Sequence, residues 1–190
     1  LPVCSALAQA HGASIYHRDL KPSNIMFTDS TRSTIKITDW GLDKGEDYFT
    51  SNNTDNRNDK TSPISIDRKN MDSNSLELTA IAGEGNIGGT PDYCSPEQWF
   101  VTVNDNDRIN DGRADIFSLG VIFYEMLTRK RPPSYDPNEP DTSRKKVESP
   151  SKYNPSISPQ LDQCILKMVD LKPENRQQSV GDLITEFKTL

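Results

Sequence analysis

Cysteine is scarce in this chain. Its 190 residues include three, Cys4, Cys94 and Cys164, far apart, odd in number and without a C-x-x-C pair. That pattern supports neither a disulfide framework nor a zinc site, and a reducing cytosol or nucleus is the expected location. Basic residues are also short. Lys and Arg total 22 against 28 Asp and Glu, a net charge of −6. General binders of nucleic acid or of membrane surfaces are usually basic, so neither partner is expected. Long apolar runs are missing too. No stretch approaches the roughly 20 residues needed to cross a bilayer, and no signal-peptide pattern opens the chain. The start at Leu1 rather than Met is what a fragment or processed product shows. The length suits one domain with a real core.

Periodicity sets out the elements. Leu1, Cys4, Leu7 and Ala8 fall at helical spacing and predict the end of a helix that stops near Gly12. Ile25–Phe27 and Thr34–Thr38 read as two short strands, joined as a hairpin by the polar residues 28–33. Residues 43–86 change character. They are dominated by Asn, Asp, Ser, Thr and Lys, and cannot bury enough apolar surface to offset their ordering entropy. They are expected to form a disordered insert, and Asn52-Asn53-Thr54 within it reads as exposed polar loop. Order is expected to return at Gly88. Ala114–Thr128 is the strongest helix, apolar enough to be central and buried. Residues 131–155 are Pro-rich, charged and read as loop. Ser158-Pro159 starts a further helix with a cap residue and a proline at its first position. Ser179–Asp182 resembles a capping box for the last one.

The chemistry lies in three motifs. His17-Arg18-Asp19-Leu20-Lys21-Pro22-Ser23-Asn24 fits H-R-D-L-x-x-x-N at every fixed position. Asp39-Trp40-Gly41 and then Ser95-Pro96-Glu97 follow in order. A lone Asp or Asn in a loop is usually a turn residue; the three motifs together reverse that reading. The chain thus resembles a serine/threonine protein kinase, and specifically its C-terminal lobe. Thr90–Tyr93 with Ser95–Gln98, and Asp111–Asp115, resemble the bacterial-type kinases. His17–Thr28 and Asp115–Met126 also resemble the stress kinases that phosphorylate a translation initiation factor.

The resemblance implies an α+β, mainly α, protein-kinase-like C-lobe with a long polar insert in the activation segment. It implies ATP and Mg²⁺ as cofactors and a protein substrate with a Ser or Thr acceptor. Asp19 would accept the proton of the substrate hydroxyl, and Lys21, a position typical of serine/threonine kinases, would contact the transferred phosphate. Asn24 and Asp39 would hold magnesium, and Met26 would lie beneath adenine, where plain core packing is the bland alternative. Thr90 would sit near Asp19 and Lys21 in the loop that receives the peptide. Glu97 would pair with Arg176, and Asp115 would anchor the catalytic loop. Arg18 would face an activation-loop phosphate, whose commonest position falls on Asn86; Thr79 or another insert hydroxyl is the substitute. Trp40 departs from the usual Phe, keeps the aromatic contact with His17 and adds an N–H that needs a partner.

Two tempting patterns fail. Gly83, Gly85 and Gly88 match G-x-G-x-x-G but lack the flanking strand and helix of a nucleotide loop. The Asp/Asn-rich stretch from Asn104 to Gly112 breaks the EF-hand ligand spacing. The Gly-rich loop, strand Lys and helix Glu of a whole kinase are absent before His17. An N-lobe, from the same chain or a partner, would have to supply them. Without it the alternative function is a non-catalytic binding or scaffold module, and the lobe-facing surface should be left exposed.

Overall fold

In the computed structural model the described residues are 2–31, 34–40, 91–99, 112–133 and 146–190. The expected insert at 43–86, Thr79, the three glycines, Asn86 and Thr90, and the stretch 104–111 lie outside them. Helix α1 spans Pro2–Gly12. The short strands β1, Ile25–Phe27, and β2, Ile35–Ile37, pair antiparallel with Ile25 opposite Ile37. A four-residue helix, α2, covers Pro96–Trp99. Helices α3, Arg113–Thr128, α4, Pro159–Met168, and α5, Val180–Phe187, complete the helical body. Single 3₁₀ turns at Pro22–Asn24, Pro91–Tyr93, Pro150–Lys152 and Pro173–Asn175 link these elements. Each opens on proline, whose fixed φ suits the first position of a helical turn and whose missing N–H is no loss there.

Helix α3 is the centre. Every residue from Ala114 to Ile122 is buried. Its Ile116, Leu119, Ile122 and Tyr124 share one cluster with Cys4 and Leu7 of α1, Cys164, Ile165 and Met168 of α4, and Val180 and Leu183 of α5. Gly120 is where α4 comes closest: a Cβ there would lie 2.7 Å from Met168 Cβ and 2.9 Å from Val169 Cγ1. The burial is not complete on all sides, since Met126 on α3 is 72% exposed.

The helix ends follow from their residues. Ser158 Oγ accepts the Leu161 N–H at 3.2 Å, and Ser179 Oγ accepts the Asp182 N–H at 3.0 Å. Each satisfies one of the donors a helix start leaves open. Helix α3 has no such side-chain cap and ends at Arg129, whose backbone turns left-handed (φ 58°) as its N–H bonds the Glu125 carbonyl at 2.7 Å.

Candidate functional site

The hairpin sets the first distances of the site. Asn24 precedes β1 and Thr38 follows β2, and the Thr38 N–H donates to the Asn24 carbonyl at 2.9 Å. This continues the ladder by one rung and brings Asn24 beside the start of Asp39-Trp40. Residues far apart in the sequence therefore meet because two three-residue strands pair in one register.

The backbone around Asp19 is held at successive polar groups by side chains from different elements. The Arg18 N–H donates to Asp115 Oδ1 at 2.7 Å and the His17 N–H to Asp115 Oδ2 at 2.8 Å. Asp115 lies in the first turn of α3 and is 1% exposed. The Arg18 carbonyl accepts from Gln98 Nε2 at 2.6 Å. The Asp19 N–H donates to His17 Nδ1 at 3.3 Å, and the Asp19 carbonyl accepts from Asn24 Nδ2 at 2.9 Å. Arg18 and Asp39 both adopt the left-handed backbone, φ 64° and 57°. Such a conformation costs a non-glycine residue about 1–3 kcal/mol and persists only where its surroundings fix it.

Two of these contacts settle chemistry that atom positions alone do not. A carbonyl can only accept and a backbone N–H can only donate. His17 Nε2 faces the Thr38 carbonyl at 2.8 Å while its Nδ1 faces the Asp19 N–H. The proton therefore sits on Nε2, and Nδ1 presents its lone pair. By the same logic the Asn24 group facing the Asp19 carbonyl is the NH₂, which turns Oδ1 the other way, where a long 3.4 Å contact with the Ser23 hydroxyl meets it.

The Asp19 carboxylate receives Lys21 Nζ at 2.9 Å, with both side chains about one-fifth exposed. Trp40 lies against His17, ring centroids 5.0 Å apart and tilted by 44°. Its indole N–H donates to the Ile37 carbonyl at 3.1 Å, which supplies the partner that the extra N–H requires. Met26 is not packed in the core. It is 47% exposed, beside Phe27 at 57%.

Helix α2 and the loop before it complete the site. Glu97 and Arg176 pair at both oxygens, Nη1 to Oε1 at 2.6 Å and Nη2 to Oε2 at 2.8 Å. Cys94 neighbours Asp19 and Glu97. Burial first, and then those two carboxylates, push its thiol up to about 12, so it is a protonated, poorly nucleophilic group. Tyr93 donates its hydroxyl to Glu125; burial, and then that bond and charge, raise the phenol to about 12.

Sequence reasoning missed two residues here. His11, at the end of α1, reaches the Asp115 carboxylate at 2.8 Å and packs on Tyr16 at 5.1 Å. Gly112 leaves room for that imidazole, since a Cβ there would stand 2.4 Å from His11 Nδ1. Gln98 is the other. Both partner residues far away in sequence; His11 falls in no motif, and Gln98, within the Ser95–Gln98 stretch, carries no local mark of a partner 80 positions away.

Among the described residues no three His, Cys, Asp or Glu side chains converge as a metal cluster. The Thr38–Asn24 backbone bond makes Asp39 and Asn24 neighbours at one end of the hairpin, so the chemistry on offer there is one carboxylate and one amide oxygen. That donor set fits magnesium, which keeps waters and phosphate oxygens in its shell and takes few protein ligands.

A model of the protein kinase domain family matches residues 1–62 and 69–185. A probable serine/threonine-protein kinase of Clostridium acetobutylicum is 30% identical over 194 residues, covering 99% of this chain and 23% of the relative. Serine/threonine-protein kinase PknB of Mycobacterium leprae is 32% identical over 184 residues, covering 95% and 24%. The chain thus spans about a quarter of the length of such relatives. Among solved structures, the Rad53 kinase domain in complex with AMPPNP superposes with a TM-score of 0.55 at 21% identity, covering 97% of this chain and 54% of that one. The likeness to that structure is one of fold.

Proposed function

The chain belongs to the protein kinase domain family, and from that premise we propose that it transfers the γ-phosphate of ATP to Ser and Thr hydroxyls of protein substrates, with Mg²⁺. The observation that carries this reading is the Asp19–Lys21 pair at 2.9 Å, set on a backbone held from several elements. Phosphoryl transfer needs little covalent help from a protein; it needs alignment and positive charge.

Asp19 orients the acceptor hydroxyl and receives its proton. Lys21 holds the carboxylate in place and lies beside the position where the phosphoryl group passes. Asn24 Oδ1 and Asp39 are the magnesium holders. When bound, the metal offsets charge on the phosphate oxygens. Asp115 fixes the His17–Arg18 backbone, and the His17–Trp40 contact fixes the start of the Asp39 segment. Thr90 is assigned to the acceptor loop by its place in the sequence. Exposed Met26 and Phe27 are suited to meet adenine and a second lobe carrying the Gly-rich loop and strand Lys.

The test is phosphate transfer from labelled ATP to mixed Ser/Thr peptides by the protein at its native length. Asp19→Asn is expected to lower the rate ~100-fold or more, the usual weight of general-base catalysis. An unchanged rate would remove Asp19 from its role. Absence of transfer by the parent protein, with Mg²⁺ and ATP present, would favour a non-catalytic binding module.

A further inference from the structure

Gln98 makes one contact more than a helix cap requires. It is the third residue of α2, following Ser95, Pro96 and Glu97. Its Oε1 accepts the Ser95 N–H at 3.0 Å, the Ser95 hydroxyl at 2.9 Å and the Cys94 thiol at 3.7 Å. A Gln or Glu that reaches back to the N-cap N–H is half of a capping box, and only the oxygen is needed for it. The nitrogen end does something else. It crosses 80 positions of sequence to donate to the Arg18 carbonyl at 2.6 Å.

That carbonyl belongs to the peptide unit whose N–H is that of Asp19. The neighbouring polar groups are held by Asp115, His17 and Asn24. All of those lie in the catalytic loop itself or in the helix that supports it. Gln98 is the holder that comes from α2. Rotation of the Arg18–Asp19 peptide would swing the Asp19 side chain, and Arg18 is already in a left-handed conformation that its surroundings must maintain.

We propose that Gln98 is a positioning residue that sets the Arg18–Asp19 peptide and ties the start of α2, with the loop that leads into it, to Asp19. A peptide hydroxyl docked on that loop then arrives in register with the carboxylate. The inference rests on the kinase reading for its catalytic meaning and on geometry alone for the tie.

The two ends of the amide can be tested apart. Gln98→Glu keeps the oxygen that caps α2 and replaces the donor with an oxygen that cannot bond a carbonyl. Ser95→Ala weakens the cap and leaves the donor in place. In hydrogen–deuterium exchange on the whole protein, Gln98→Glu is expected to speed exchange in residues 17–20 by about tenfold, the weight of one lost hydrogen bond. Its urea midpoint should fall by no more than the loss of that single hydrogen bond accounts for. Ser95→Ala should leave exchange at 17–20 unchanged. In transfer assays Gln98→Glu is expected to raise the peptide KM by about tenfold and leave the ATP KM alone. A mere loss of folded molecules would lower the apparent kcat and move neither KM. Unaltered exchange at 17–20 in Gln98→Glu overturns the tie, whatever the activity. Faster exchange with an unmoved peptide KM overturns the positioning role. If the parent protein transfers no phosphate yet exchange responds as expected, the kinase reading fails and the tie stands.

Discussion

All five N–H groups of Arg176 are taken up inside the protein. Nε donates to the Asp170 carbonyl, Nη1 to Glu97 and the Arg113 carbonyl, and Nη2 to Glu97 and the Leu171 carbonyl. The guanidinium also lies over the Phe117 ring at 4.8 Å. No other side chain presents five donors in that fork. Arg176→Met keeps the bulk, strands the Glu97 carboxylate and takes a donor away from each of three carbonyls. It is expected to cost about 3–5 kcal/mol, read from the urea midpoint. A cost near zero would mean the pair is dispensable. A second expectation concerns the thiols. Burial raises all three cysteines above their ordinary value, Cys94 and Cys164 to about 12. At pH 8 their thiolate fraction is small, so a thiol reagent should label the native protein slowly and the unfolded protein at once. Rapid labelling of one thiol before unfolding would contradict the packing described for it.

At the scale of elements, helices read from apolar spacing and caps appear where the residues place them, because those signals are local. The hairpin is legible for the same reason: Ile25–Phe27 and Thr34–Thr38 are short runs rich in apolar and β-branched residues, and the residues between them are polar. The turn at Pro91–Tyr93 and the helix Pro96–Trp99 are too short to have a period. The exposure of Met126 was also hidden, since an apolar residue on a mostly buried helix carries no mark of where cover ends. His11 and Gln98 were illegible because each acts on a partner many residues away, and only the fold brings the two together. Close packing of α3 on α4 gives this scale its prediction. Gly120→Ala would force a methyl against Met168 and Val169. The expected cost is about 1–3 kcal/mol from overpacking, against the small gain in helix propensity that alanine brings. Thermal unfolding measures the difference, and a stabilised variant would show that α4 can move aside.

For the whole molecule, charge and ionisation bound the conditions it tolerates. The sequence pI is about 5.0, so solubility should be lowest near that pH and rise above it as net negative charge grows. Tyr93 and Tyr124 are both raised from 10.0 to about 12, by burial first and then by bonding to, or charge from, nearby groups. A group held neutral in the fold stabilises fully below its unfolded value. That contribution is therefore intact below about pH 10 and lost as pH climbs toward 12. The chain has six tyrosines, so these two are followed by difference against Tyr93→Phe and Tyr124→Phe. The tyrosinate absorbance each variant removes should be that which appears late and together with unfolding; removal of absorbance that rises gradually near pH 10 would show that the phenol is freer than its contacts imply. The packing of α1 against α5 has one more consequence, for the chain as it is made. Cys4 and Leu7 share their cluster with Val180 and Leu183, so the cover of α1 is completed only by residues made more than 170 positions later. During synthesis the part of its apolar face that α5 covers stays open until then; the contact that closes it is long-range, of the kind that slows folding.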